Sequence, residues 1–293
     1  MNIVETNNLT KYYLGGKVKA LNNLNLKVEE GEIFGFIGPN GAGKTTTIRL
    51  FLDLIRPTKG SAKIFGKDMN QHSVAIKKEV GFLPGEIFLP ENFTGKSCLE
   101  YFRGFKNQVD NKYLKFLIDS LEFDTTKKIR DYSKGNRQKL SIILALMHKP
   151  KLLLLDEPTS GLDPLNQQIF YKLMSDVKRN GATIFLSTHL LVEAQNICDR
   201  VGIIKEGKLL SIENIEDFRQ KNIREIHLET KKNILLSDLK VPGVQKIEKK
   251  TYGYHLTTIG PNGQIIKKLS KLDIDDFKVY EPSLEEIFMH FYK

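Results

Sequence analysis

Gly38-Pro39-Asn40-Gly41-Ala42-Gly43-Lys44-Thr45, continued by Thr46, is the stretch whose reading decides the fold. Its spacing is G-x-x-x-x-G-K-[ST], that of a phosphate-binding loop. Before it, the apolar run Ile33 to Ile37 predicts a buried strand; after it, Ile48, Phe51, Leu52 and Ile55 recur at helical spacing. Strand, glycine loop and helix together are the setting in which such a loop works. Gly38, Gly41 and Gly43 let the backbone turn tightly and aim its N–H groups inward, and the new helix adds about half a positive charge. Lys44 then reaches the β- and γ-phosphates, and Thr45 offers its hydroxyl to Mg²⁺. The expectation is a nucleoside triphosphate site.

The chain of 293 residues, 40% hydrophobic and 27% charged, has room for one large core and a second small one. No apolar stretch reaches the roughly 18 residues needed to span a bilayer, and Met1 to Leu14 lacks the charged-then-apolar layout of a secretory leader. Cys98 and Cys198 stand apart without metal-ligand spacing and are expected to be reduced packing residues. The net charge of +10 raises the question of nucleic acid. From Lys205 onward 16 basic residues meet 14 acidic ones, so most of the surplus lies upstream, dispersed rather than in a run. That distribution suits solubility and phosphate binding better than a nucleic-acid groove.

Strands are expected at Ile3 to Leu9, Leu21 to Val28 and Ala62 to Phe65. A helical block from about Glu91 to Pro150 follows, marked by Tyr101, Phe102, Phe105, Leu114, Leu117, Ile118 and Leu121. Leu152 to Leu155 and Thr183 to Ser187 read as fully buried parallel strands around a helix from Pro164 to Lys178. Val201 to Ile204 and Lys208 to Ile212 make a hairpin about Glu206-Gly207. After about Phe218 the composition shifts to a β-α-β-β-α-β order, with Phe277 and Val279 expected on a shared buried face. An amphipathic helix from Ser283 to Tyr292 closes the chain.

Beyond the phosphate loop, the strand Leu152 to Leu155 runs into Asp156-Glu157-Pro158, the form of a Walker B element. Adjacent side chains on a strand point to opposite sides, so the two carboxylates take different tasks. Asp156 is placed to hold the Mg²⁺ shell, and Glu157 to take a proton from the attacking water. His189 follows a neighbouring strand at the sheet's carboxyl edge, where ligands bind in such folds and an imidazole can contact the γ-phosphate. Ser133 and Gly135, in Tyr132-Ser133-Lys134-Gly135-Asn136-Arg137-Gln138, open the helix Leu140 to Met147 and describe a second anion site, although serine there is also an ordinary cap. Two phosphate-binding helix ends with one phosphate loop point to a head-to-tail pair of chains, each closing over the other's nucleotide.

Together these residues resemble the ATPase subunit of ABC transporters, over about Asn2 to Ile215. The resemblance implies an α/β fold: a P-loop NTPase of ABC type, with a mixed sheet core and a helical subdomain at about 91–150, in domain 1–217. A small C-terminal α+β domain would occupy 218–293. It implies ATP and Mg²⁺ as cofactors, with Gly38 to Thr46 as the Walker A loop, Thr45 and Asp156 at the metal, Glu157 and His189 catalytic, and Ser133 and Gly135 in the signature. Ser160 to Asp163 matches the D-loop. Tyr13 matches the aromatic that stacks on adenine, with Tyr12 the alternative.

Two departures stand out. The usual signature Leu-Ser-Gly-Gly-Gln is Tyr-Ser-Lys-Gly-Asn, which brings the charge of Lys134 close to the partner's phosphates. The Q-loop glutamine is replaced by Gly85, with Glu86 beside it. The implied partners are a second ABC ATPase subunit, in a homo- or heterodimer, and an integral membrane permease, with no nucleic acid. The chain would then be cytoplasmic, held on the inner face of the membrane by the permease. Gly-Glu-Ile-Phe-Gly-Phe-Ile-Gly-Pro-Asn and the ending Ser-Leu-Glu-Glu-Ile-Phe look like exporters of drugs, antibiotics, lipids or polysaccharides. An importer ATPase and a soluble ABC protein of translation or DNA repair are the alternatives.

Overall fold

The computed structural model describes residues 1–106, 109–220, 224–231, 234–260 and 263–280. The helix expected at 283–292 lies outside the described residues. The chain divides into two compact units, Met1–Ile212 and Glu213–Lys293.

The first unit opens with β1 (Asn2–Tyr13), β2 (Val18–Leu24) and β3 (Lys27–Glu29), then β4 (Ile33–Ile37) and α1 (Lys44–Phe51). The run Leu21 to Val28, expected as one strand, is two strands: Asn23 takes a left-handed backbone (φ 52°), which ends the first. β5 (Lys59–Ile64), β6 (Lys67–Asp68), α2 (Ser73–Lys78) and β7 (Val80–Leu83) lead to the helical block of α3 (Gly95–Arg103), α4 (Asn111–Ser120) and α5 (Lys134–Leu146). Then come β8 (Leu152–Asp156), α6 (Pro164–Arg179), β9 (Thr183–Thr188), α7 (Leu191–Ile197), β10 (Arg200–Lys205) and β11 (Lys208–Asn214), the last running across the division.

Two sheets build this unit. One has the order β2-β1-β5-β6, with β3 also on β1; the other is β11-β10-β4-β9-β8-β7. From β10 to β7 every neighbouring pair in the second sheet is parallel. β4, β8 and β9 are buried at every position, as strands covered on both faces must be, which is why they read as unbroken apolar runs. Parallel order puts the carboxyl ends of β4, β8 and β9 side by side, and the phosphate loop, Glu157 and His189 leave from those three ends. The phosphate helix is fixed below them by aromatics. Phe51 of α1 meets Phe185 of β9 edge-on at 5.5 Å, and Phe34 of β4 stacks on the same ring at 5.9 Å. Each such fully buried ring contributes about 1.5–3 kcal/mol.

The helical block leaves the sheet after β7 and returns through α5 to β8. Thr94 and Ser97 cap α3 reciprocally. Asp163 caps α6 by accepting from Asn166 N at 2.9 Å, with Pro164 at the first helical position. Cys98 and Cys198 are free and buried.

The second unit begins with α8 (Ile215–Gln220) and continues through β12 (Arg224–Glu229), α9 (Leu236–Leu239), β13 (Val244–Lys250), β14 (Gly253–Thr258), α10 (Gly263–Leu269) and β15 (Asp276–Tyr280). Its sheet has the order β13-β14-β12-β15, antiparallel throughout. Ile226, Leu228, Tyr254 and Leu256 pack against Leu239, Ile265 and Leu269 from the two helices. Phe277 and Val279 lie opposite Leu228 and Ile226 and so share their face, yet they are 51% and 44% exposed. The burial expected for them is not seen: β15 lies at the sheet's edge, and the described core of this unit, built on β12, β14 and the two helices, does not include them.

Candidate active site

The phosphate loop is shaped by close backbone approach. A Cβ on Gly38 would lie 2.2 Å from Ile204 O. One on Gly43, whose φ is 110°, would lie 2.4 Å from Ala20 O. Neither position admits any residue but glycine. Gly43 stands at the cap of α1 and supplies no side-chain bond to the helix's first N–H groups. Lys44 is only 6% exposed, and its Nζ donates to Gly38 O at 2.7 Å and Pro39 O at 3.3 Å.

The ammonium also lies 3.4 Å from Glu157 Oε1, while His189 Nδ1 is 2.7 Å from Glu157 Oε2. One carboxylate therefore joins the loop lysine to the histidine. The two acids of Walker B do take different surroundings, but by a different device from the strand alternation expected. β8 stops at Asp156, and Glu157 turns out of it with a left-handed backbone (φ 49°), its N–H donating to Ser187 O at 3.0 Å. Asp156 stays 4% exposed and takes a short hydrogen bond from the Ser187 hydroxyl. Its other oxygen faces Gly85: a Cβ there would lie 3.2 Å from Asp156 Oδ2. Glu86 is exposed and lines a separate cleft with Tyr132, Lys134, Arg137 and Gln138.

Of the two tyrosines, Tyr12 bonds Asn22 Oδ1 at 3.0 Å across the β1–β2 hairpin. Tyr13, half-buried at the hairpin's end, has Lys11 Nζ 5.1 Å from its ring centre. The Ala20 carbonyl against Gly43 brings this hairpin to the phosphate loop. Ser133 caps α5 by accepting from Asn136 N at 3.2 Å, and a Cβ on Gly135 would lie 3.0 Å from Gly161 O. Among the described residues, Ser133 and Gly135 make no hydrogen bond to residues 38–46. Lys134 Nζ donates to Ser160 Oγ of its own chain at 3.1 Å.

Two residues escaped the sequence reading. Ser187 is the hydroxyl that fixes Asp156. Glu193, on α7 and 2% exposed, lies behind Glu157 and His189. Burial pushes its carboxyl up to about 7, with the Thr188 and Thr159 hydroxyls pulling the other way. Its spacing from His189 is the only signal the sequence holds.

A family profile described as "ABC transporter" matches residues 21–160, and one described as "ATP-binding protein DrrA1-3-like, C-terminal domain" matches 211–292. The bacitracin transport ATP-binding protein BcrA of Bacillus licheniformis is 34% identical over 98% of this chain and 96% of its own length. This chain belongs to the ABC transporter family, as an ATP-binding, ATP-hydrolysing subunit.

Other relatives of this ABC subunit include BcrA of Enterococcus faecalis, 35% identical over 75% of the chain and 72% of the relative. Among solved structures, one titled as the ATP-binding subunit of an ABC transporter superposes with a TM-score of 0.68 at 29% identity. It covers 74% of this chain and 92% of its own. A dimeric cassette in a post-hydrolysis state, bound to ADP and Pi, superposes at 0.66 with 25% identity, covering 72% and 98%. ABC subunits of this kind act as dimers with membrane components of the transporter.

Proposed function

We propose that this subunit pairs head to tail with a second ABC ATPase subunit around two ATP·Mg²⁺ and drives a separate membrane permease that exports a drug- or antibiotic-like cargo. The observation that carries the catalytic part is the line from Lys44 through Glu157 to His189. It sets a base, its orienting imidazole and a phosphate-binding ammonium within hydrogen-bonding or ion-pair reach at the mouth of one loop.

Each residue has a task in this reading. The N–H groups of Gly38 to Thr46 and the Lys44 ammonium bind the phosphates. Glu157 takes the proton of the attacking water, and His189 orients Glu157 and contacts the γ-phosphate. Tyr13 stacks on the adenine, since Tyr12 is engaged within the hairpin. The partner subunit's Ser133 and Gly135 close the site from across the interface. Thr45 and Asp156 suit Mg²⁺ because a hydroxyl and a carboxylate are the hard oxygen donors it takes. Ser187 orients one Asp156 oxygen, and no side chain at Gly85 crowds the other. When bound, Mg²⁺ neutralises charge on the phosphate oxygens.

The cargo reading draws on relatives named for bacitracin transport and on a probable multidrug ATP-binding protein of Escherichia coli. These names support export over import. A membrane partner is supported by the exposed aromatics Tyr101 and Phe105 at the end of α3, and a permease bound there would hold the subunit at the cytoplasmic face. No helix among the described residues is long and apolar enough to cross a membrane.

The test is Glu157→Gln. Turnover is expected to fall by at least ~10²-fold, the scale of general-base loss, with ATP binding intact. The same variant with magnesium ATP should sediment as a dimer and retain the permease on purification. Near-normal turnover removes Glu157 from its role. A single subunit that hydrolyses ATP at full rate at every dilution removes the shared site.

A further inference from the structure

Lys134 stands where the family signature has a glycine, and its side chain lies along its own subunit. Two rungs join α5 to the loop that follows Glu157. Gln138, 3% exposed, donates from Nε2 to Pro158 O at 2.5 Å. Lys134, four residues earlier on the same helix face, donates from Nζ to Ser160 Oγ at 3.1 Å.

Between the rungs the two backbones touch at glycines. A Cβ on Gly135 would sit 3.0 Å from Gly161 O. One on Gly161 (φ 83°) would meet Lys134 Cγ and Cδ at 2.9 Å and Cε at 3.0 Å. The aliphatic stem of the lysine therefore lies flat across Gly161 while its head reaches Ser160, the usual division of labour in a long cationic side chain. The loop is in turn closed onto the base by Ser160 N, which donates to Glu157 O at 3.1 Å.

We propose that Lys134 is a positioning residue that fastens the loop 158–161, and through its turn the backbone of Glu157, to the signature helix of its own subunit, rather than a ligand for the partner's nucleotide. The inference rests on the reading of Glu157 as the base. Through this tether, the signature turn that faces one nucleotide and the base that serves the other form one piece, so seating the first sets the second. A glycine in place of Lys134 leaves that connection to Gln138 alone.

The experiment is a double-mutant cycle on the ATPase activity of the full chain, with Lys134→Ala, Ser160→Ala and both together. Each single variant is expected to lower kcat by about three- to tenfold with KM for ATP unchanged, and the pair to be no worse than the worse single, the mark of two residues acting as one. Lys134→Arg, which keeps stem and donor, should restore kcat to within about twofold. A phosphate ligand would behave otherwise: KM would rise for Lys134→Ala, Ser160→Ala would be silent and the two effects would multiply. Either that pattern or an unchanged kcat in Lys134→Ala overturns the proposal. Thermal unfolding of each variant guards against misfolding. A failure of Glu157→Gln to lower turnover is a separate result that overturns the base.

Discussion

Two helices of this ABC subunit begin at glycine-bearing turns, α1 behind Gly43 and α5 behind Ser133, and they are finished in opposite ways. Gly43 offers its helix no side-chain cap and is hemmed in by Ala20 O, so the first N–H groups of α1 point at whatever anion enters the loop. Ser133 satisfies its own helix through Asn136 N and is exposed. The first end has no side-chain acceptor for its N–H groups; the second has one of them met by its own serine, whose hydroxyl must turn outward to serve a ligand. In the proposed head-to-tail pair the first end would grip the nucleotide and the second would meet it from the partner's side.

The comparison breaks most easily at the glycines. Gly43→Ala combines a left-handed φ with a collision at 2.4 Å. It is expected to lower stability by about 3 kcal/mol or more and to abolish nucleotide binding, read by denaturant midpoint and fluorescent-nucleotide titration. Gly135→Ala meets only a 3.0 Å contact and has no such backbone strain. It should leave ATP binding unchanged and lower kcat about tenfold. Equal losses of binding in both variants would end the distinction.

A smaller effect sharpens the same contrast through pH, because only the phosphate-loop side has Glu193 behind it. Its carboxyl rises from 4.5 to about 7 on folding, so the native state holds the proton more tightly than the unfolded chain does. That stabilisation is complete below about pH 4.5 and is lost as pH climbs through about 7. Glu193→Gln lacks this contribution, while those of other shifted groups such as His148 and Glu32 stay in both chains. Moving from pH 5 to pH 8 should therefore favour the variant over the parent chain by on the order of 2–3 kcal/mol, measured by urea unfolding of both. Parallel pH profiles in parent and variant would show that Glu193 ionises freely.

The smallest effect belongs to the cap. Ser133→Ala should cost about 1 kcal/mol of stability, with a several-fold fall in kcat that appears only at concentrations where subunits pair. A fall that persists in dilute monomer would place Ser133 in its own subunit's chemistry.

The same asymmetry governs how much was legible in the sequence. Gly38 to Thr45 announces itself because each residue there is fixed by local geometry, and the fully buried β4, β8 and β9 read as apolar runs for the reason that both faces are covered. β7 went unseen. It is four residues long with Gly81 inside, a residue that reads as a turn. Its reason is tertiary: a Cβ there would lie 2.3 Å from Ala145 O of α5. The charge of Lys134 is visible in sequence, but the Ser160 hydroxyl it bonds is not. Glu193 looks like any helical glutamate until α7 is packed. Phe277 and Val279 share the face of Leu228 and Ile226 as expected, but they lie outside the described core of this unit, which alternation alone does not reveal.

The carbonyl of Ala20 has a further consequence. Gly43 presses on it from the phosphate loop, and a Cβ on Gly207 would lie 3.0 Å from it on the β10–β11 side. The hairpin bearing Tyr13 is thus held at Ala20 between two closely approaching glycines. Any displacement of that carbonyl would have to be shared by the phosphate loop on one side or the β10–β11 turn on the other, since a Cβ on either glycine would already crowd it.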